Sequence, residues 1–170
     1  NIVITGALGY IGSELCKLYS GFSWKYDVIA IDNRFISERV NELKRRKIKF
    51  IQADILDLKK IKPIIKKAEC IHHLAGITDV AYVKKDSNKE RDALTEKVAI
   101  QGTSNILASM NNQATIVFPS THVVFEGKQD LIENIKEDFV KLPVLNYAKS
   151  KDLNEEQIIK SGKQYVILRL

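Results

Sequence analysis

The 170 residues predict an α/β fold, a doubly wound parallel sheet with helices on both faces. Three observations carry that expectation. Short apolar runs rich in Val and Ile alternate with longer segments of helical period, the pattern of βα units feeding a sheet buried on both sides. A turn punctuated by glycines joins the first apolar run to the first helical segment. A carboxylate, Asp32, closes the second run.

The strands fall at Ile2 to Thr5, Asp27 to Ile31, Ile48 to Gln52, Cys70 to Leu74, Thr115 to Pro119 and Gln164 to Leu170. Between them, helices are expected near Tyr10 to Ser20, Ser37 to Arg46, Leu58 to Lys67, Asn88 to Met110 and Leu145 to Ser161. Right-handed crossovers then place any ligand crevice at the carboxyl ends of the strands, where strand order reverses beside strand one. No internal repeat or linker rich in Pro and Gly interrupts the pattern, so one domain is expected over 1–170. The loop from Glu126 to Val144 carries mixed charge and ends in Leu142-Pro143, and it reads as a mobile flap over the carboxyl edge.

A chain with 45% hydrophobic and 28% charged residues has the balance of a soluble globular domain. No apolar run approaches the roughly 20 residues needed to span a bilayer, so no membrane partner is expected. The start is an apolar strand with no basic leader, and Cys16 and Cys70 form no metal-spaced or redox pair. Both are expected as reduced, buried thiols in a cytoplasmic protein. The net charge of +6 is spread over Lys44-Arg45-Arg46-Lys47, Lys59-Lys60-Lys62, Lys66-Lys67 and Lys84-Lys85. These clusters lack interleaved base-stacking aromatics and read as solvated faces, not a nucleic-acid surface.

Thr5-Gly6-Ala7-Leu8-Gly9-Tyr10-Ile11-Gly12 follows strand one and opens a helix, the context that a phosphate-cradling loop requires. Gly6 permits the tight turn, Gly9 lets the backbone approach a pyrophosphate, and Gly12 lets the helix pack against the sheet. The helix N-terminus at Tyr10 and Ile11 adds unpaired amides and a partial positive charge. Taken alone, the three glycines could be a plain strand-to-helix turn, but in this context they read as the start of a Rossmann dinucleotide-binding unit. Asp32 lies 20 residues after Gly12, where a carboxylate accepts from the adenosine ribose diol and repels a 2′-phosphate, so NAD is favoured over NADP. Arg34, two residues on, could instead pair with such a phosphate.

Strand three runs into Asp54-Ile55-Leu56-Asp57. Asp54 could accept from an adenine amino group, or Asp54 or Asp57 could cap the next helix. Strand four ends His72-His73-Leu74-Ala75-Gly76, with small residues where a flat cofactor needs room. Adjacent strand residues point to opposite faces, so the two imidazoles cannot chelate one ion, and no metal is expected. Thr121 lies just past strand five, and Tyr147 and Lys151 share one face of the next helix at i and i+4. An ammonium there can lower the phenol pKa, which would suit Tyr147 to general acid or base work.

Taken in order, Thr5-Gly6-x-x-Gly9-Tyr10-Ile11-Gly12, Asp32-Asn33, Asp54-Ile55, His73-Leu74-Ala75, Ser120-Thr121, Val124-Phe125, Tyr147-Ala148-Lys149-Ser150-Lys151 and Leu168-Arg169 resemble the extended short-chain dehydrogenase/reductase family across essentially the whole chain. The resemblance implies an NAD-dependent nucleotide-sugar epimerase. Tyr147 would be the catalytic base, Thr121 the hydroxyl that aligns the substrate, and Lys151 the nicotinamide-ribose anchor and modulator of the phenol. Cofactor contacts would come from Gly6, Gly9, Tyr10, Ile11, Gly12, Asp32, Asn33, Asp54, Ile55, Leu74, Ala75, Gly76, Tyr147 and Lys151. The partners implied are a nucleoside diphosphate sugar and a second copy of the chain, packed through the helices near Asn88 to Met110 and Leu145 to Ser161.

Three departures qualify the resemblance. The 4,6-dehydratase branch carries an acid pair after the threonine, and here those positions are His122 and Val123. An Asn commonly found three residues before the Gly-Thr of the long helix is Ala99 here, ahead of Gly102-Thr103. Family members also continue well beyond the Arg169 strand, so the C-terminal substrate-binding domain is expected to be absent from this chain, which could bind cofactor without turnover. Two other functions stay open: reduction of a non-nucleotide carbonyl with NADPH, against which Asp32 argues, and a non-catalytic dinucleotide-binding role.

Overall fold

The computed structural model describes residues 1–78, 89–128 and 133–170. Lys84-Lys85 and Asn88 lie outside them. Six strands form one sheet in the order β3-β2-β1-β4-β5-β6, every pairing parallel. They are β1 (Ile2–Thr5), β2 (Val28–Asp32), β3 (Lys49–Gln52), β4 (Cys70–His73), β5 (Thr115–Ser120) and β6 (Gln164–Arg169). The helices are α1 (Tyr10–Ser20), α2 (Ser37–Arg45), α3 (Leu58–Ile65), α4 (Lys89–Lys97), α5 (Thr103–Ser109) and α6 (Asn146–Lys160). The order reverses between β1 and β4, and that crevice holds the site, as the doubly wound pattern requires.

Alternation along each strand divides the core between the two faces. Ile2, Ile4, Val28 and Ala30 face α1 and α2 and pack with Leu8, Cys16, Val40 and Leu43. Val3, Ile31, Ile71, Ile116 and Phe118 face the other way and pack with Ile61 and Ile65 of α3, Ile106 of α5 and Ile158 of α6. Full burial of each such side chain is worth about 1.5–3 kcal/mol, so a strand of four or five residues is held mainly by its two apolar faces.

The expected helix from Asn88 to Met110 is not continuous. A π turn at Val98–Gly102 separates α4 from α5. Gly102, the last residue of that turn, presses against Ile55, and a Cβ at Gly102 would stand 2.3 Å from the Ile55 Cδ1. The backbone widens by one residue at this contact, a distortion that periodicity does not reveal. Cys16 is buried as expected, whereas Cys70 is only partly buried. The described arms of the 126–144 loop are fastened by Gly127 N to Leu142 O (2.9 Å), Leu142 N to Val124 O (2.8 Å) and Val144 N to Glu126 Oε1 (2.8 Å). Among the described residues, no helix is long and apolar enough to cross a membrane.

Candidate active site

The first turn begins at Gly6, whose φ of +67° lies in the left-handed region; a Cβ there would also come within 2.7 Å of Ala75 N. Gly12 is required by proximity instead, since a Cβ on it would meet Gly6 O at 2.4 Å. No side chain caps α1 and no acid occupies its first turn. Its leading amides therefore keep their hydrogen-bonding capacity for an anion.

Asp32 is buried at the end of β2, and both carboxylate oxygens are occupied. Oδ2 accepts from Leu8 N (3.0 Å) and Arg34 Nη2 (3.1 Å), while Oδ1 accepts from Arg34 N (3.0 Å) and Nε (3.0 Å). Burial pushes the Asp32 carboxyl up, but the hydrogen bonds from Arg34 and Leu8 outweigh it and hold the group below its ordinary value. Asp54 accepts from Leu56 N (2.8 Å) through Oδ1 and from the Asn33 amide (3.2 Å) through Oδ2. The helix cap is Asp57, which accepts from Lys60 N, so Asp54 is left to the cleft.

His72 and His73 point to opposite faces, as alternation requires. His72 Nε2 meets the Tyr19 hydroxyl at 2.8 Å, whereas His73 bridges Thr5 Oγ1 and Thr103 Oγ1 at 3.0 Å each. Burial lowers His73 to about 3, so this ring is neutral and ties β1, β4 and α5 together. Asn154 of α6 reaches the same Thr103 hydroxyl. With its amide oriented to suit its neighbours, Asn154 donates to Ala99 O (3.2 Å) and Ser150 O (3.0 Å) and accepts from Thr103 Oγ1 (3.1 Å).

At the other end of the cleft, the Thr121 hydroxyl is buried and accepts from Val123 N (3.2 Å). Lys151 Nζ donates to Pro119 O (2.7 Å) and lies 4.5 Å from the Phe118 ring centroid and 5.9 Å from that of Tyr147. The expected lowering of the phenol by this ammonium is not what the geometry gives. Burial raises Tyr147 above the ordinary phenol value. Lys151 is itself lowered to about 8 by burial, with the Glu155 carboxylate opposing that change.

All the residues expected to bind cofactor, together with Thr121, Tyr147 and Lys151, line one cleft of about 960 Å³ along the carboxyl edge of the sheet. Arg34, Arg39, Leu94, Val98, Pro119 and Ser120 also line it. Of these, the sequence singles out Arg34 and, beside Thr121, Ser120; a lone arginine and apolar helix positions carry no spacing signal. No group of three or more His, Cys, Asp or Glu side chains able to hold a metal occurs among the described residues.

The model of the 3-beta hydroxysteroid dehydrogenase/isomerase family matches residues 3–167, and the chain belongs to that family. The likeness to extended short-chain dehydrogenases/reductases read from the motifs holds. Among curated relatives, the chain is 28% identical to short-chain dehydrogenase/reductase family 42E member 1 of Xenopus laevis, covering 96% of this chain and 41% of the relative. It is 29% identical to a UDP-glucose 4-epimerase of Schizosaccharomyces pombe, covering 73% of this chain and 36% of that protein. Among solved structures, the UDP-glucuronic acid 4-epimerase of Bacillus cereus, in complex with UDP-glucuronic acid and NAD, superposes with a TM-score of 0.81 at 26% identity. That match covers 99% of this chain and 55% of the epimerase. The chain thus spans about half or less of the length of each.

Proposed function

We propose that this chain is the NAD-binding part of an NAD-dependent enzyme that oxidises and reduces a carbinol centre, and that its substrate is a nucleoside diphosphate sugar undergoing epimerisation. The observation that carries the reading is the single cleft in which the glycine loop, Asp32, Asp54 and the Thr121, Tyr147 and Lys151 group lie in the order a dinucleotide needs. The residues present suit the cofactor. The α1 amides are free of caps, and a Cβ at Gly76 would meet nothing within 4 Å, leaving open space beside strand four.

In this reading the α1 amides hold the pyrophosphate, Asp32 the adenosine ribose and Lys151 the nicotinamide ribose. Bound there, NAD would supply the hydride acceptor and donor for the carbinol carbon. Tyr147 takes the proton of the substrate hydroxyl and gives it back, and Thr121 orients that oxygen by hydrogen bonding. Deprotonation of Tyr147 requires offsetting the burial that raises its phenol, and a charged Lys151 swung from Pro119 O towards the phenol would do so. Support for NAD and for a nucleotide sugar comes from the epimerase named above, whose structure contains both NAD and a UDP-sugar.

A second reading rests on the family match, whose description names a hydroxysteroid. It keeps the same cofactor and tyrosine chemistry but changes the substrate to an apolar alcohol. Substrate selection is proposed to lie largely in chain outside these residues, consistent with the apolar surface that β6 exposes at Tyr165, Val166 and Leu168. The reading takes the protein to be a cytoplasmic homodimer without a nucleic-acid partner; free Cys16 and Cys70 suit a reducing compartment. The test is turnover by the full-length protein with UDP-glucose or with a 3β-hydroxysteroid, for wild type and Tyr147→Phe. Activity on the nucleotide sugar, reduced about a hundredfold or more in the variant, supports the first reading. Activity on the steroid alone replaces it with the second, and activity untouched by Tyr147→Phe refutes the tyrosine chemistry.

A further inference from the structure

Glu155 is fully buried four residues after Lys151 on α6, yet it is an ionised side chain with no place in the chemistry above. Its Oε1 accepts from the Ser120 hydroxyl and from Arg169 Nε (3.0 Å). Its Oε2 accepts from Arg169 Nη2 (2.8 Å) and Lys141 Nζ (3.2 Å). Lys141 also pairs with Asp152, and Arg169 Nη1 donates to Glu137 O (2.8 Å). One carboxylate therefore joins the ends of β5 and β6, the loop after β5 and the helix bearing Tyr147 and Lys151.

The joined strand end is the part the site uses. Pro119 O is the acceptor for Lys151, Ser120 is the residue held by Glu155, and Thr121 follows directly. We propose that Glu155 is a positioning residue for this site, fixing the strand end that carries Thr121 and placing a negative charge one helical turn from Lys151. The role rests on the cofactor-binding reading above. A purely apolar residue at 155 would hold the same elements together, because buried ion pairs contribute little net stability relative to well-packed hydrophobic groups. What an apolar residue lacks is a charge one helical turn from Lys151.

Among the described residues, the titratable groups around Lys151 are these. His73 on β4 is neutral, and Tyr147 on α6 is a protonated phenol. Lys141 and Arg169 are engaged by Glu155, with Asp152 balancing Lys141. Glu155 is the carboxylate that holds the ammonium up against burial. Without it, Lys151 loses its proton at lower pH, and a neutral amine would hold the nicotinamide ribose less firmly.

The experiment uses the full-length protein carrying ¹⁵N-lysine. The Lys151 signal, assigned with Lys151→Ala, is followed by NMR from about pH 6 to pH 10, and NAD affinity is measured by calorimetry over the same range. In Glu155→Gln, the Lys151 titration and the alkaline loss of NAD affinity both move down by about one pH unit, roughly fivefold weaker binding near pH 8. Should that variant fail to fold, Glu155→Leu with Arg169→Leu replaces the buried pair by apolar groups and moves both curves down by less than one unit, because the Arg169 charge leaves with that of Glu155. Curves that superimpose on wild type in the folded variants overturn the proposal and leave Glu155 a structural clamp. A shifted Lys151 titration in a protein that binds no NAD at any pH would instead overturn the cofactor reading.

Discussion

Arg34→Ala tests how the adenosine end of the cleft is set for its ligand. In this structure Asp32 already accepts four hydrogen bonds, two of them from the Arg34 side chain and two from backbone amides. A carboxylate offers about four lone-pair sites, so it has none left for a ribose diol until the guanidinium moves aside. The Arg34 side chain is 55% exposed, and ion pairs of that exposure are worth about 0.2–1 kcal/mol after solvent screening. Removing it relieves NAD of that competition, and calorimetric titration of the variant is expected to show NAD binding about two- to fivefold tighter than wild type. NADP is expected to respond oppositely, weakening about tenfold, because Arg34 is the cation placed to receive a 2′-phosphate. If Arg34→Ala instead weakens NAD more than about threefold, the guanidinium contributes to NAD binding directly and the competition argument fails.

Two glycines separate packing from binding. Gly12→Ala sets a Cβ 2.4 Å from Gly6 O and is expected to cost about 1–3 kcal/mol in urea unfolding, while Gly76→Ala, with nothing within 4 Å, leaves stability unchanged and weakens NAD by intruding on the cleft. Buried His73 stays neutral down to about pH 3, whereas the unfolded chain takes a proton at its imidazole below about 6.5. Stability therefore falls with decreasing pH across that window. Wild type is expected to lose about 1.4 kcal/mol per pH unit there relative to His73→Gln, measured by denaturant unfolding at several pH values. The proposed homodimer would bury Leu153 of α6, exposed in the single chain. Light scattering after size exclusion should give twice the chain mass, and a monomer at micromolar concentration would remove the dimer from the account.

The fold was legible because its signals are local and repeated. Val- and Ile-rich runs bounded by helical segments gave all six strands to within a residue at either end, and the glycine spacing located a turn whose Gly6 has positive φ. The site was legible as a set of positions, since motifs at successive strand ends converge on one edge in any doubly wound sheet. What stayed hidden depends on packing between distant segments. Nothing around Glu155 distinguishes it from Glu156 beside it, yet the first is buried and the second pairs with Lys160 at the surface. The π turn at Val98–Gly102 ends where Gly102 meets Ile55, and Asn154 reaches Ala99 O and Thr103 from another helix. The state of Tyr147 depends on where Lys151 points, and its acceptor, Pro119 O, is a backbone atom that no motif encodes.

The most direct test of the central claim is calorimetric titration of this chain with NAD and with NADP, repeated on Asp32→Ala. The account predicts saturable binding that favours NAD and falls about tenfold or more in the variant, which removes the buried acceptor for the ribose. Binding of neither dinucleotide, or NAD binding indifferent to Asp32→Ala, would contradict it.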